Sequence, residues 1–160
     1  MMLGFVDSVN FYNGTFWAFL GAAVAFFAAG CGSAKGVGLA GEAGAGVLTE
    51  DPKKFGPVMI LEALASTQAI YGFVIAFLII GKVSTDLSFQ DGVVLFVAGL
   101  PIGIVGFMSG VYQGRVAAAG INMVAKRADG MGRAIILATM VEMFAIIGLI
   151  VSLLIVFSVK

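Results

Sequence analysis

The sequence predicts an all-α integral membrane protein of four transmembrane helices, built as two fused, duplicated helical hairpins. Three observations carry this. The 160 residues are 61% hydrophobic and 11% charged, with a mean hydropathy of +1.10, whereas soluble domains carry about 25% charged residues. Four long apolar segments are separated by polar breaks at residues 49–54, 82–91 and 126–130, and each segment is long enough to cross a hydrocarbon core of roughly 30 Å as one helix. The second half of the chain also repeats the first: residues 69–78 align with 145–154 at a spacing of 76, and Gly32 and Gly36 align with Gly110 and Gly114 at a spacing of 78.

Taken in order, the helices are expected at about residues 13–48, 57–81, 92–126 and 131–158. Pro57 suits a first helical turn, and no segment shows the period-2 alternation of a membrane barrel strand. The whole chain, 1–160, reads as one membrane domain, with a first hairpin at 13–81 and a second at 92–158. A two-helix unit returns to the side on which it began, so its duplication is parallel. The two-residue difference between the two spacings is expected to be absorbed in the loops. The first fifteen residues contain no Lys or Arg, so the positive region of a secretory signal is missing and the first apolar run reads as a mature helix. The lone Cys31 reads as a small packing residue.

Helices one and three hold most of the glycine. Gly32, Gly36, Ala40 and Gly44, and again Gly106, Gly110, Gly114 and Ala118, recur every four residues. Such small-xxx-small ladders let membrane helices approach closely, which implies a crowded inner layer made of these two helices. Residues 36–41 match G-x-G-x-x-G, but that dinucleotide fingerprint needs a preceding strand, and here it lies inside a helix.

Charge narrows the function. Nine Lys+Arg balance nine Asp+Glu and there is no His, so nothing points to a nucleic-acid partner. No soluble segment is long enough to hold a catalytic site. Lys53, Lys54, Lys126, Arg127 and Arg133 cluster at the first and third breaks, against Lys82 and Lys160 elsewhere. By the positive-inside rule the first and third loops face the cytoplasm and both termini face outward.

The last apolar run contains one ionisable group, Glu142. A carboxylate inside a bilayer is expensive, and its default reading is an ion or proton site. Counted from the loops at 1.5 Å per residue, Glu142, Gln68 and Gln113 all lie roughly 18 to 20 Å from the cytoplasmic helix ends. On helix two, Leu64, Thr67, Gln68 and Tyr71 are spaced i, i+3, i+4, i+7 and form one stripe. A lipid-facing stripe would not carry a hydroxyl, an amide and a phenol in succession, because unpaired polar groups in hydrocarbon cost several kcal/mol each. A dehydrated monovalent cation needs several oxygens and one negative charge, whereas a proton needs only the carboxyl. The surplus of neutral oxygens therefore favours Na+ over H+.

The segments GSAKGVG from Gly32, TQAIYGF from Thr67, QGRVAAAG from Gln113 and the pair Val141-Glu142 resemble the membrane rotor (proteolipid, K or c) subunit of V-type ATPases, and most of all its bacterial Na+-translocating form. The resemblance covers nearly the whole chain. It implies a ring of many copies, with helices one and three inside and helices two and four outside in lipid. It also implies a Na+ site formed by the side chains of Thr67, Gln68, Gln113 and Glu142 and the main-chain carbonyl of Leu64, with Tyr71 holding the carboxylate. The implied partners are a stator membrane subunit bearing an arginine and a central-stalk subunit on the cytoplasmic side. ATP hydrolysis would lie in a separate soluble complex, and no organic cofactor is implied. Two other readings stay open: a rotor that moves H+, with Thr67 and Gln68 structural, and a small independent transporter or pore.

Glu62 departs from the sodium-type pattern, which has a neutral amide there. It lies about two turns shallower than Gln68 and off the Leu64 stripe. It is expected to reach the cytoplasmic interface or to join a charge-balanced group with Lys35, Glu42 and Arg115; a second ion carboxylate is the alternative.

Overall fold

A computed structural model describes residues 11–159, with the exception of the Ala128 side chain. Residues 1–10 and Lys160 lie outside the described residues, and with them most of the N-terminal reading and the outward placement of Lys160. Among the described residues five α-helices form four spans: α1 (Gly14–Glu50), α2 (Phe55–Leu64) with α3 (Thr67–Gly81), α4 (Phe89–Lys126) and α5 (Met131–Ser158). Single 3-10 turns, Pro52–Lys54 and Ala128–Gly130, make the loops at one end.

Local chemistry sets the boundaries. Asn13 caps α1 by accepting from the Thr15 N–H at 2.9 Å. α4 starts three residues earlier than its apolar pattern suggests, because Ser88 and Asp91 form a capping pair: Ser88 Oγ accepts from the Asp91 N–H at 3.0 Å and donates to Asp91 Oδ2 at 2.7 Å. Lysines close helix ends whose carbonyls have no intrahelical partner. Lys54 Nζ donates to Val124 O at 3.1 Å, and at the opposite end Lys82 Nζ donates to Val159 O at 2.7 Å.

The second span differs from the expected continuous helix over 57–81. Helical bonding lapses at Ala65 and Ser66, where shorter-range bonds take over: Ala65 N–H to Glu62 O at 3.3 Å and Ser66 N–H to Ala63 O at 3.1 Å. Neither Pro nor Gly marks the break. It is sustained by hydroxyls, with Ser66 Oγ donating to Ala63 O at 2.7 Å and Ser33 Oγ of α1 accepting from the Ala69 N–H at 3.0 Å. Membrane helices tolerate a break where side chains supply the lost bonds. The same logic operates at Pro101 inside α4, next to which the Ile102 N–H donates to Ser152 Oγ at 3.1 Å.

α1 and α4 run parallel in close contact. A Cβ on Gly110 would lie 2.6 Å from the carbonyl carbon of Gly32 and 2.8 Å from Ser33 N, and Gly14 meets Gly92, Gly21 meets Gly99 and Gly36 meets Gly114 in the same manner. Only glycine permits backbones this close. This corrects one expectation. The glycines spaced by 78 are not equivalent positions of the repeat; they face one another across the joint between the hairpins. The repeat itself holds a spacing of 76 on inner and outer helices alike: Gly72 packs on Ala25 as Gly148 packs on Pro101, and Ser33 and Ser109 each bond the outer helix of their own hairpin.

Two apolar cores result. One, towards the Lys82 end, includes Ile75, Ile79, Leu95 and Ile102. The other, towards Lys54, includes Val58, Leu61, Ile121 and Ala134. The buried side chains of Ser33, Gln68, Ser109 and Gln113 form a polar layer between them. Large side chains on the outer helices, such as Phe73, Phe77, Phe144 and Leu154, are exposed and suit a lipid surface.

Candidate ion-binding site

The polar layer is built from four spans. α5 supplies Glu142, half-buried; α4 supplies Gln113 and Ser109; α1 supplies Ser33; and the broken span supplies Thr67, Gln68 and Tyr71, with Leu64 at its break.

Tyr71 and Gln113 hold the carboxylate directly. The Tyr71 hydroxyl donates to Glu142 Oε1 at 2.6 Å, and Gln113 Nε2 donates to Glu142 Oε2 at 3.4 Å. Hydrogen bonds to an ionised acceptor are shorter and stronger than neutral ones, and the phenol bond has that character. Behind Gln113 the network continues inward. Gln68 Nε2 donates to Gln113 Oε1 and, at 3.2 Å, to Ser109 Oγ, while Gln68 Oε1 accepts from Ser33 Oγ at 3.4 Å. Ser109 Oγ donates its own proton to Val141 O at 3.0 Å, one residue from the carboxylate. Among the described residues no buried side-chain nitrogen or oxygen lacks a partner, the condition a buried polar network must meet.

The helix break contributes a backbone oxygen. Leu64 O accepts from Thr67 Oγ1 at 3.2 Å, and the Thr67 side chain also neighbours the Tyr71 phenol. The stripe read from helical spacing is therefore real, although the helix that carries it is interrupted. Carboxylate, amide, hydroxyl and carbonyl oxygens are hard donors that suit hard cations. Among the described residues there is no cluster of three His, Cys, Asp or Glu.

The structure brings together Glu142, Gln113 and Tyr71 in direct contact, with Thr67 as a neighbour of the phenol and the Leu64 carbonyl bonded to the Thr67 hydroxyl. Gln68 stands one bond behind, on Gln113. Ser33 and Ser109 complete the network. Sequence reasoning does not single them out, although they are equivalent positions of the 76-residue repeat and emerge when the outer-helix spacing is extended to the inner helices.

Glu62 does not join the charge group expected for it. Among the described residues the only ion pair joins Arg127 and Asp129, at 3.5 Å. Lys35 and Glu42 are exposed, and the exposed Arg115 lies over the Tyr112 ring, 5.3 Å from its centroid. Glu62 turns instead against α1, where its Oε1 would be 3.0 Å from a Cβ on Gly41.

A model of the family described as the C subunit of ATP synthase matches the chain twice, at residues 20–79 and 96–155. The chain is 47% identical over 146 residues to the V-type sodium ATPase subunit K of Enterococcus hirae, covering 91% of this chain and 94% of that protein. It is 40% identical over 144 residues to the A-type ATP synthase subunit K of Methanocaldococcus jannaschii, covering 90% of this chain and 64% of that protein. With the 16 kDa proteolipid subunit of the V-type proton ATPase of Homo sapiens, identity is 30% over 139 residues, covering 87% of this chain and 90% of that protein.

Proposed function

The chain belongs to the family of the ATP synthase C subunit, and on that premise we propose that it carries Na+ on Glu142 as one of many copies in the rotor ring of a V-type ATPase. It is a multi-pass membrane subunit without catalytic machinery of its own, so ATP hydrolysis belongs to the rest of the complex. The single observation that carries the ion reading is the held carboxylate: Tyr71 and Gln113 converge on Glu142 at a helix break that offers a backbone oxygen beside Thr67. The 47% identity to a sodium ATPase subunit, against 30% to a proton ATPase subunit, supports Na+ as the cargo.

In this reading Na+ is held by the Glu142 carboxylate, the amide oxygen of Gln113, the Thr67 hydroxyl and the Leu64 carbonyl, with Gln68 acting on or beside Gln113. The amides of Gln113 and Gln68 turn over together, so that Gln113 Oε1 replaces Nε2 towards the ion and Glu142 while Gln68 Oε1 accepts from Gln113 Nε2. Tyr71 keeps its hydrogen bond and fixes the carboxylate while the ion enters and leaves. Bound Na+ neutralises the one charge in the polar layer, which lets the site pass lipid without the cost of an exposed carboxylate. At a stator subunit, an arginine competing for Glu142 releases the ion. The Lys54 and Lys126 end faces the cytoplasm, where a stalk subunit meets the loops.

The experiment is carbodiimide labelling of Glu142 in the detergent-solubilised protein, which requires the protonated carboxyl. At constant pH, millimolar Na+ is expected to protect Glu142 and equal K+ to protect much less. Labelling unaffected by Na+ would transfer the reading to H+.

A further inference from the structure

Glu62 and Arg115 are opposite charges with no ion-pair partner among the described residues of the chain, and the geometry of the repeat says where each one goes. Inside the chain, the α1–α4 joint sets residues 78 apart level with one another, as Gly32 with Gly110 and Gly36 with Gly114. Equivalent positions of the two hairpins are 76 apart, as Ser33 and Ser109. In a closed ring of evenly repeating hairpins the joint between α4 of one copy and α1 of the next keeps the register of the joint inside each copy, at a wider spacing because Met108 and Tyr112 stand where Gly32 and Gly36 do. Moving both sides of the internal joint on by one hairpin makes a residue of α4 level with the α1 residue of the next copy numbered 74 lower.

The faces left open fit that register. Met108 and Tyr112 are exposed on α4, and the register sets them on Ala34 and Gly38. Both of those are exposed, and a Cβ on Gly38 would meet nothing within 4 Å. Large side chains thus oppose small ones. Arg115, on the same open face of α4, falls on Gly41, and Gly41 is where the Glu62 carboxylate lies, its Oε1 3.0 Å from where a Cβ would sit. A cavity of about 330 Å³ opens there, lined by Glu62 together with Val37, Val58, Met59 and Ser66.

We propose that Arg115 of each copy pairs with Glu62 of the next copy, forming a ring of ion pairs on the cytoplasmic side of the Na+ sites. The proposal rests on the ring assembly of the preceding reading. At the internal joint the equivalents of Arg115 and Glu62 are Leu39 and Ala138, both apolar. The charges therefore mark only the joint between copies and distinguish it from the joint within a copy. Each charge is left without compensation if its partner is removed, which is the costly way to break a pair in low dielectric.

The test uses the full chain with Cys31→Ser, Glu62→Cys and Arg115→Cys, treated in detergent with a short bis-maleimide. The expected product is a ladder of dimers and higher multimers on denaturing gels, absent when only one of the two new cysteines is present. A second measurement follows the temperature at which the ring dissociates. Glu62→Arg or Arg115→Glu alone should lower it, and the exchanged pair should restore most of the loss. An intact ring that gives no ladder, or an exchanged pair no better than its worse single variant, overturns the ion pair while leaving the Na+ reading standing. Unsubstituted protein that forms no ring overturns both.

Discussion

At the scale of single residues, the proposed ion binding turns on how Glu142 is held. Replacing Tyr71 by Phe removes a hydrogen bond to a charged group, worth about 1.5 to 3 kcal/mol, but the bond is kept in the empty and the occupied site, so only the loss of carboxylate positioning reaches Na+ affinity, which should weaken by less than about tenfold. Gln113→Leu removes both the donor on Glu142 and the acceptor for Gln68 and should weaken it further. Isothermal titration of the purified ring with NaCl checks both, and unchanged affinity in Tyr71→Phe would show that the phenol does not position the carboxylate. Most of this site is legible in the sequence because depth and helical phase together restrict which polar side chains can meet. Gln68 stands one step farther from the carboxylate than its spacing implies, since position along a helix gives direction without reach. Ser33 and Ser109 escape a reading of the sequence because a serine among glycines and alanines carries no charge to draw attention, and its role appears only when its bonds to Ala69 and Val141 are seen.

At the scale of elements, the glycine ladder and the broken span do different work. Gly110→Ala would press a methyl group to within 2.6 Å of backbone that cannot move aside, and overpacking of this kind costs about 1 to 3 kcal/mol. A Cβ on Gly46 would meet nothing within 4 Å, so Gly46→Ala serves as the control. The first variant should lower the unfolding temperature of the solubilised protein and the second should not. Four spans, their order and the pairing of the inner helices can be read from hydropathy and small-residue periodicity. The break at Ala65 and Ser66 cannot, because no Pro or Gly announces it and part of its support comes from Ser33 on another helix. The inner helices mislead the alignment of the repeat for a related reason: glycines that recur because they touch imitate glycines that recur because they are duplicated.

At the scale of the whole molecule, the chain is a two-part inner wall with a partly broken outer layer. α1 and α4, at 37 and 38 residues, are each about 55 Å long and exceed the hydrocarbon thickness of roughly 30 Å. The polar layer sits between two apolar cores, so an ion at Glu142 is enclosed above and below by packed side chains. Duplication without equal charge is the informative feature. The second hairpin carries Glu142, and the first has Ser66 at the equivalent position, so the proposed reading assigns one ion to two hairpins. The most direct measurement of Na+ carriage on Glu142 is equilibrium binding of radioactive Na+ to the purified ring, counted per chain. The predicted result is one Na+ per chain, lost in Glu142→Gln and retained in Glu62→Gln. No saturable binding, or binding that survives Glu142→Gln, would contradict it.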